Sequence, residues 1–444
     1  MLQVLERLPT NHLRTIKQLN MNTIFALSSG MPPAGIGVIR ITGPQVCAAL
    51  ESVVGRVPEP RRFMRAVFRN QAGEQLDDGL VVYFPGPKSV TGEDLAEFHC
   101  HGGRAVIAAV ERALASIPDC RLAEPGEFTR RAFANGRIDL AEAEGLADLL
   151  SAETEIQRRS AIAMASGSLS RQVENWREEL LLLSAAVEAV LDFDDEDDVG
   201  GLPDSFSARV ECLAVDVRSA LEAPHAEVLR DGYRVALAGP PNAGKSTLFN
   251  ALTDSEAAIT AELAGTTRDV LTQSVALGGI PFTFVDMAGL RTPGEDRIEA
   301  IGIARAEDEI IRADLVLWLG AEGQGPEGSW EIDAKSDQHG RAVKTNPKHR
   351  LSAVTGDGLA ELREALIGHA RLAMPKPGVA ALNARQRARL EEGVAALEAV
   401  STKADPLLIA EHLRMARAAF DALTGRASTE HVLDALFGRF CIGK

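Results

Sequence analysis

Apolar and polar positions follow two rhythms along this chain, and the switches between them divide it. From Asn22 the apolar residues fall in short, strand-length runs, Thr23-Ile24-Phe25-Ala26-Leu27 and Ile36-Gly37-Val38-Ile39-Arg40-Ile41, on either side of a Gly/Pro loop. Gly79 to Phe84 adds a strand and about Gly103 to Ser116 a helix, so residues 21–137 are expected to form a small α+β domain. From Ile138 the spacing turns helical: Leu146, Leu149 and Leu150 share a face, Ser160 to Met164 is Ala-rich, and Trp176 to Leu191 continues the stripe. Helical spacing returns from Asn383 to Phe437, after a stretch with its own strand, loop and helix code. The pattern predicts a helical domain in two parts, 138–228 and 375–444, that pack together around an inserted α/β domain at 229–374. Residues 1–20, ahead of Met21, are expected to be a disordered arm or short helix.

The totals change this picture little. The 444 residues suit about three domains, and 45% hydrophobic with 25% charged residues is the balance of a soluble globular protein. No apolar run approaches the roughly 20 residues that span a bilayer. A net charge of −16 argues against nonspecific wrapping of nucleic acid and leaves room for a local basic patch. The five cysteines, Cys47, Cys100, Cys120, Cys212 and Cys441, are scattered without a C-x-x-C pair, as expected of reduced thiols in a cytoplasmic protein.

Chemistry concentrates in the inserted domain. Gly239-Pro240-Pro241-Asn242-Ala243-Gly244-Lys245-Ser246-Thr247 spells G-x-x-x-x-G-K-S between a strand, Tyr233 to Ala238, and an apolar helix start, Leu248 to Leu252. Such a loop turns backbone N–H groups toward phosphate oxygens, places Lys245 near the β and γ phosphates, and offers the Ser246 hydroxyl to Mg²⁺. Gly265-Thr266-Thr267-Arg268-Asp269 precedes a hairpin, Val270 to Leu277 and Ile280 to Val285 about Gly278-Gly279, that ends in Asp286-Met287-Ala288-Gly289. In the order of a Ras-like switch GTPase, Thr267 supplies a second hydroxyl to Mg²⁺, Asp286 holds the metal's water, and the Gly289 N–H senses the γ phosphate.

Guanine selection calls for N-K-x-D, and the chain has Ala334-Lys335-Ser336-Asp337, keeping the carboxylate that accepts from guanine. Ser352-Ala353-Val354 resembles the loop behind the base, so GTP is favoured over ATP. After D-x-x-G, where many GTPases carry a water-positioning Gln, stands Leu290, which cannot orient water, and Glu299, otherwise read as a solvated helix-start acid, is a candidate to do so. Between Leu315-Val316-Leu317-Trp318-Leu319 and Ala334 a Gly-rich stretch leaves little room for a crossover helix.

Two further clusters invite ligands. His99-Cys100-His101 has metal-ligand chemistry, yet a closed zinc site needs four ligands, and a strand end before the Gly102-Gly103 turn is the preferred reading. The acidic run Asp192 to Asp198 lacks the spacing of a calcium loop and reads as a solvated connection.

Four separated motifs resemble the tRNA modification GTPase family MnmE, also called TrmE, from about Asn22 to the last residue. They are Pro240 to Ser246, Ala264 to Asp269, Glu124-Pro125-Gly126-Glu127-Phe128-Thr129-Arg130-Arg131-Ala132-Phe133, and Phe440-Cys441-Ile442-Gly443-Lys444. The resemblance implies a dimeric N-terminal α+β folate-binding domain, an α-helical domain carrying an inserted α/β P-loop GTPase, and a flavoprotein partner, MnmG, which would hold FAD in a heterotetramer. A tetrahydrofolate derivative, the 5-formyl or 5,10-methylene form, would meet Arg40, Glu97, Arg137 and Lys444. GTP would contact Asn242, Ala243, Gly244, Lys245, Ser246 and Thr247; Ala261, Glu262, Leu263, Ala264, Gly265, Thr266 and Thr267; Asp286, Met287, Ala288 and Gly289; and Lys335, Asp337, Ser352, Ala353 and Val354. K⁺ would take the place of an arginine finger, near Asn242, Ala261, Leu263 and Thr266. Lys245, Gly289 and Glu299 would carry catalysis. Cys441 matches the family's terminal cysteine and suits a nucleophile or a packing role. Met287, Ala334 and the short region after Leu319 depart from the family pattern.

The function expected is a K⁺-stimulated GTPase that, with its flavoprotein partner, modifies C5 of a tRNA wobble uridine. The competing expectation is a regulatory GTP-binding switch, for which an Arg40/Glu97/Arg137 constellation has no use.

Overall fold

A computed structural model describes residues 22–192, 201–223, 225–254, 271–287, 308–340, 342–374, 380–401, 404–426 and 430–443. The chain forms two compact units, residues 1–147 with 421–444, and residues 148–420.

In the first unit, β1 (Thr23–Leu27), β2 (Ile36–Thr42), β3 (Met64–Arg69), β4 (Gln75–Phe84), β5 (Leu95–His101) and β6 (Cys120–Leu122) form one sheet in the order β3-β4-β5-β2-β1-β6. Its neighbours are antiparallel except β1 and β6, which run parallel. Strand alternation sends Ile39, Ile41, Phe68, Val81 and Phe98 to one face, where α1 (Val46–Val54) and α2 (Arg104–Ala115) cover them. Arg40, Glu97 and His99 occupy the intervening positions and therefore face the other way. As the periodicity predicts, α2 begins after Gly103 and stops at Ser116.

Next, α3 (Glu127–Ala134) lays Phe128 on Ile24 and Ala26 of β1. Leu140 and Ala143 of α4 (Leu140–Ser151) then cluster with Leu433, Leu436, Phe437 and Phe440. The end of the chain is thus divided from the helical part expected over 375–444. Its residues 421–444 belong to the first unit, where Phe437 and Phe440 are buried against Leu140 and Ala143.

The second unit holds α5 (Glu155–Ala165), α6 (Ser168–Asp192) and α7 (Phe206–Leu221) before the insertion, and α11 (Ala384–Glu398) and α12 (Pro406–Thr424, to Phe420) after it. Helix α7 packs on α11, and Trp176 of α6 meets Phe420 of α12 with ring centroids 5.5 Å apart. The two helical segments do pack together. Capping boxes start α5 at Thr154/Gln157 and α11 at Asn383/Gln386, each satisfying backbone N–H groups that a helix start leaves unpaired.

The insertion contains α8 (Ala226–Asp231), β7 (Tyr233–Ala238), α9 (Lys245–Thr253), β8 (Leu271–Leu277), β9 (Ile280–Asp286), β10 (Leu315–Trp318), β11 (Trp330–Asp333), β12 (His349–Arg350) and α10 (Leu359–Ala373). Its sheet runs β12-β11-β10-β7-β9-β8, parallel except for the β8–β9 hairpin, which pairs Leu277 with Ile280 as its Gly-Gly turn predicts. Fully buried Val235, Leu237, Leu248, Phe282, Phe284, Leu317 and Leu362 fill the layer between sheet and helices. Strands β10 and β11 are parallel, yet residues 319–329 connect them by turns alone, as the Gly-rich sequence requires. Among the described residues no helix is long and apolar enough to cross a membrane.

Buried charge in the first unit yields a test. Burial pushes the Glu127 carboxyl up, but hydrogen bonds from Arg121 and the Glu124 N–H, with the Arg131 charge, outweigh it and hold the group below 4.5. A carboxylate with a depressed folded value stabilises the fold above pH 4.5 and loses that contribution as pH falls through the folded value. Glu127→Gln is expected to cost about 3 kcal/mol at neutral pH and to flatten the acid dependence. Denaturant midpoints of the first unit at neutral and about pH 3.5 would test this, and an equal acid loss in both proteins would refute it.

Candidate functional site

Strand β7 and helix α9 bracket the phosphate loop at the carboxyl end of the parallel strands, where open α/β sheets place ligands. Gly239, at φ 147°, packs so closely that a Cβ there would stand 3.0 Å from the Gly320 nitrogen. Only glycine lets the loop turn against the β10 end. The Lys245 ammonium is buried and donates to the carbonyls of Gly239 and Pro240, 2.9 Å each, which holds the cation over the turn. The Ser246 hydroxyl donates to Asp286 Oδ2 at 2.6 Å. Two hard oxygen donors from α9 and β9 therefore converge, a donor set that suits Mg²⁺.

At the segment expected to read the base, Lys335 (φ 60°) lays its stem over Gly244 and donates from Nζ to the Asn242 carbonyl at 2.6 Å. Fully buried Ser352 donates to Asp337 Oδ1 at 2.6 Å and accepts from the Val354 N–H at 3.3 Å, which fixes the carboxylate's direction. Asn242, Lys335, Asp337, Ser352 and Val354 are thus tied into one corner.

No sequence motif announced the brace beneath that corner. Lys344 donates to the Trp318 carbonyl at 2.9 Å and pairs with Glu331, whose other oxygen accepts from the Gly323 N–H. Glu322 accepts from the N–H groups of Thr345 and Asn346, 2.7 Å each, and these bonds hold its carboxyl below its ordinary range. These side chains hold the connection that lacks a helix. Their only signal was charge scattered through a Gly-rich stretch.

On the open face of the first sheet, Arg40 donates from Nε and Nη2 to Glu97 Oε1 at 3.1 and 2.8 Å, and His99 Nε2 lies 3.2 Å from Glu97 Oε2. Arg40 and Glu97 were expected to meet different parts of one ligand, and the register between β2 and β5 sets them directly opposite each other. The side chain of Arg137 lies against Gly92.

The His-Cys-His sequence is split by the sheet. Cys100 points into the core, where burial pushes its thiol up to about 11, while His101 pairs with Asp77 at 2.7 Å. Among the described residues no three metal-ligating side chains gather. Cys441 is exposed, which disfavours the packing role. Ala261, Glu262, Leu263, Ala264, Gly265, Thr266, Thr267, Ala288, Gly289, Glu299 and Lys444, with the arm before Met21 and the acidic run after Asp192, lie outside the described residues.

Comparison with known proteins finds the MnmE helical domain family over residues 140–441 and the family described as GTP-binding protein TrmE N-terminus over residues 23–137. The tRNA modification GTPase MnmE of Novosphingobium aromaticivorans is 60% identical over 435 residues, covering 95% of this chain and 100% of that protein. That of Erythrobacter litoralis is 59% identical over 424 residues, covering 96% and 100%. That of Zymomonas mobilis is 47% identical over 435 residues, again covering 96% and 100%. The chain belongs to the tRNA modification GTPase family MnmE.

Two departures from the MnmE pattern have packing reasons. Met287, in place of Thr, buries its side chain with Ala236, Ala238, Val285 and Val316. Ala334, in place of Asn, packs at the edge of the core close to Gly244, and the Lys335 bond to Asn242 ties the two loops together there.

Asp337→Asn is expected to lower the preference for GTP over xanthosine triphosphate, because a donor then faces an acceptor on xanthine. Each charged hydrogen bond is worth about 1.5–3 kcal/mol, so the ratio should move roughly 10-fold or more. Ser352→Ala should weaken GTP without changing the preference, since it frees the carboxylate's direction and leaves its charge. Competition binding of the two nucleotides decides, and an unchanged ratio in Asp337→Asn removes the guanine-reading role.

Proposed function

We propose that this chain is a cytoplasmic, K⁺-stimulated GTPase which, as a homodimer joined by the flavoprotein MnmG in a heterotetramer, installs an aminomethyl or carboxymethylaminomethyl group at C5 of a tRNA wobble uridine. The supporting observation is one chain that couples a phosphate loop, with Lys245, Ser246 and Asp286 converging, to a sheet face carrying Arg40, Glu97 and His99. A switch alone has no need of the second.

In hydrolysis a water oxygen attacks the γ phosphorus, the bond to the β–γ bridging oxygen breaks, and GDP and phosphate leave. Lys245 and the loop N–H groups offset the charge that develops on the phosphate oxygens. Ser246 and Thr267 would hold Mg²⁺ by their hydroxyls, with Asp286 holding the metal's water. Asn242 with Ala261, Leu263 and Thr266 would hold K⁺, which would supply the positive charge of an arginine finger. Glu299 orients the water, since Leu290 cannot. Asp337, backed by Ser352, Ala353 and Val354, reads guanine.

A tetrahydrofolate derivative would supply the one-carbon unit when bound. Arg40, Arg137 and Lys444 offer charge to its carboxylates, and Glu97 accepts from pterin donors. Exposed Ile36, Phe63 and Leu80 surround that face, which suits a second copy of the chain. The domain limits 21–137, 138–228 and 229–374 serve this division of labour, with the part expected over 375–444 giving its last residues, 421–444, to the first unit.

Calorimetric titration with 5-formyltetrahydrofolate is expected to show binding that Arg137→Ala weakens, and no binding would leave the regulatory switch. Glu299→Ala should bind a nonhydrolysable GTP analogue within a few-fold of the parent while single-turnover hydrolysis in K⁺ falls about 10²-fold or more. Parent-like turnover would return Glu299 to a solvated acid.

A further inference from the structure

We propose that Arg131 is a positioning residue for the folate site, acting through the loop between β4 and β5 to set Arg137. This rests on the folate reading above and assigns a role to a side chain that touches no ligand in it.

Arg131 is the largest fully buried side chain of the chain's described residues. Its Nη1 donates to Glu93 Oε2 and its Nη2 to Glu127 Oε1, both at 3.0 Å. Arg121 holds Glu127 from the far side at 2.6 and 2.8 Å. The guanidinium therefore links α3 to the loop that carries Glu93. Burying a charge is costly, and apolar residues of similar volume would serve packing at least as well. What the ionic arrangement adds is a fixed place for that loop.

The loop in turn abuts the folate residues. Thr42 Oγ1 stands 2.7 Å from Thr91 Oγ1 and 3.3 Å from Glu93 Oε2, and Thr42 shares a face of β2 with Arg40, two positions earlier. Asn135 Nδ2 donates to the Thr91 carbonyl at 2.8 Å. Between these ties sits Gly92 at φ 81°, where a Cβ would come within 2.8 Å of Asn135 Cβ and 3.2 Å of Arg137 Cγ. Glycine here lets the Arg137 stem lie directly on the loop. Moving Glu93 moves the surface on which Arg137 rests.

The experiment uses the full chain and 5-formyltetrahydrofolate as probe. Arg131→Lys keeps the charge but loses the fork that spans two carboxylates, and Gly92→Ala, at a φ of 81° that disfavours a side chain, pushes on Arg137 without changing either partner of the Arg131 ion pairs. Each is expected to weaken calorimetric affinity 10-fold or more with GTP turnover unchanged. In an Arg137→Ala background, Arg131→Lys should add no further loss, because both changes act on one contact; an independent structural effect would add. Affinity within two-fold of the parent in folded Arg131→Lys and Gly92→Ala overturns the proposal, as does full additivity. Should Arg131→Lys fail to fold, Gly92→Ala and Arg137→Ala with their double variant carry the same comparison. A parent protein that does not bind the probe refutes the folate reading, and with it this proposal.

Discussion

The turn from Ala238 to Lys245 constrains the second unit more than any other feature. Its backbone must point N–H groups at one place while Lys245 and Ser246 begin a helix, and this is possible only if Gly239 lies against the end of β10. Beside that contact β7 takes a central place in the sheet, Lys245 is buried at the turn, and Ser246 meets Asp286 from the neighbouring strand. The β10–β11 connection must then hold Gly320 in place without a helix. Lys344, Glu331 and Glu322 do this with hydrogen bonds to backbone groups rather than with apolar packing.

The first unit solves a different problem. A six-stranded sheet covered by α1 and α2 on one face leaves the other face open for charge. Arg40, Glu97 and His99 occupy it in register, and α3 with the end of the chain closes the region near β1. The buried Arg131 group ties α3 to the loop that carries Glu93 beside that open face. Such a group is costly to desolvate, and removing one partner of it is costlier still.

Much was legible without coordinates because it depends on local chemistry. The strand–loop–helix around Gly239 to Leu252, the β8–β9 hairpin and helix α2 each carry their own periodicity and turn residues, so neighbours in sequence decide them. The insertion was legible too, since helical spacing stops and resumes. The preferred reading of His99-Cys100-His101 as a strand end agrees with β5, where Cys100 is buried in the core and the histidines take the other face, but the partners Glu97 and Asp77 came only with the sheet.

Family membership, the phosphate loop and the candidate guanine-reading carboxylate are written in short stretches of fixed spacing. Tertiary structure decided what depends on residues far apart. It joined Arg40 to Glu97 across a strand pair, drew Ser352 onto Asp337, returned the chain end to the N-terminal sheet, and surrounded Arg131 with carboxylates from a loop and a helix. The physical reason is that a buried charge or a cross-strand pair has no local signature. Its partner is chosen by register and packing, which exist only once the chain has folded.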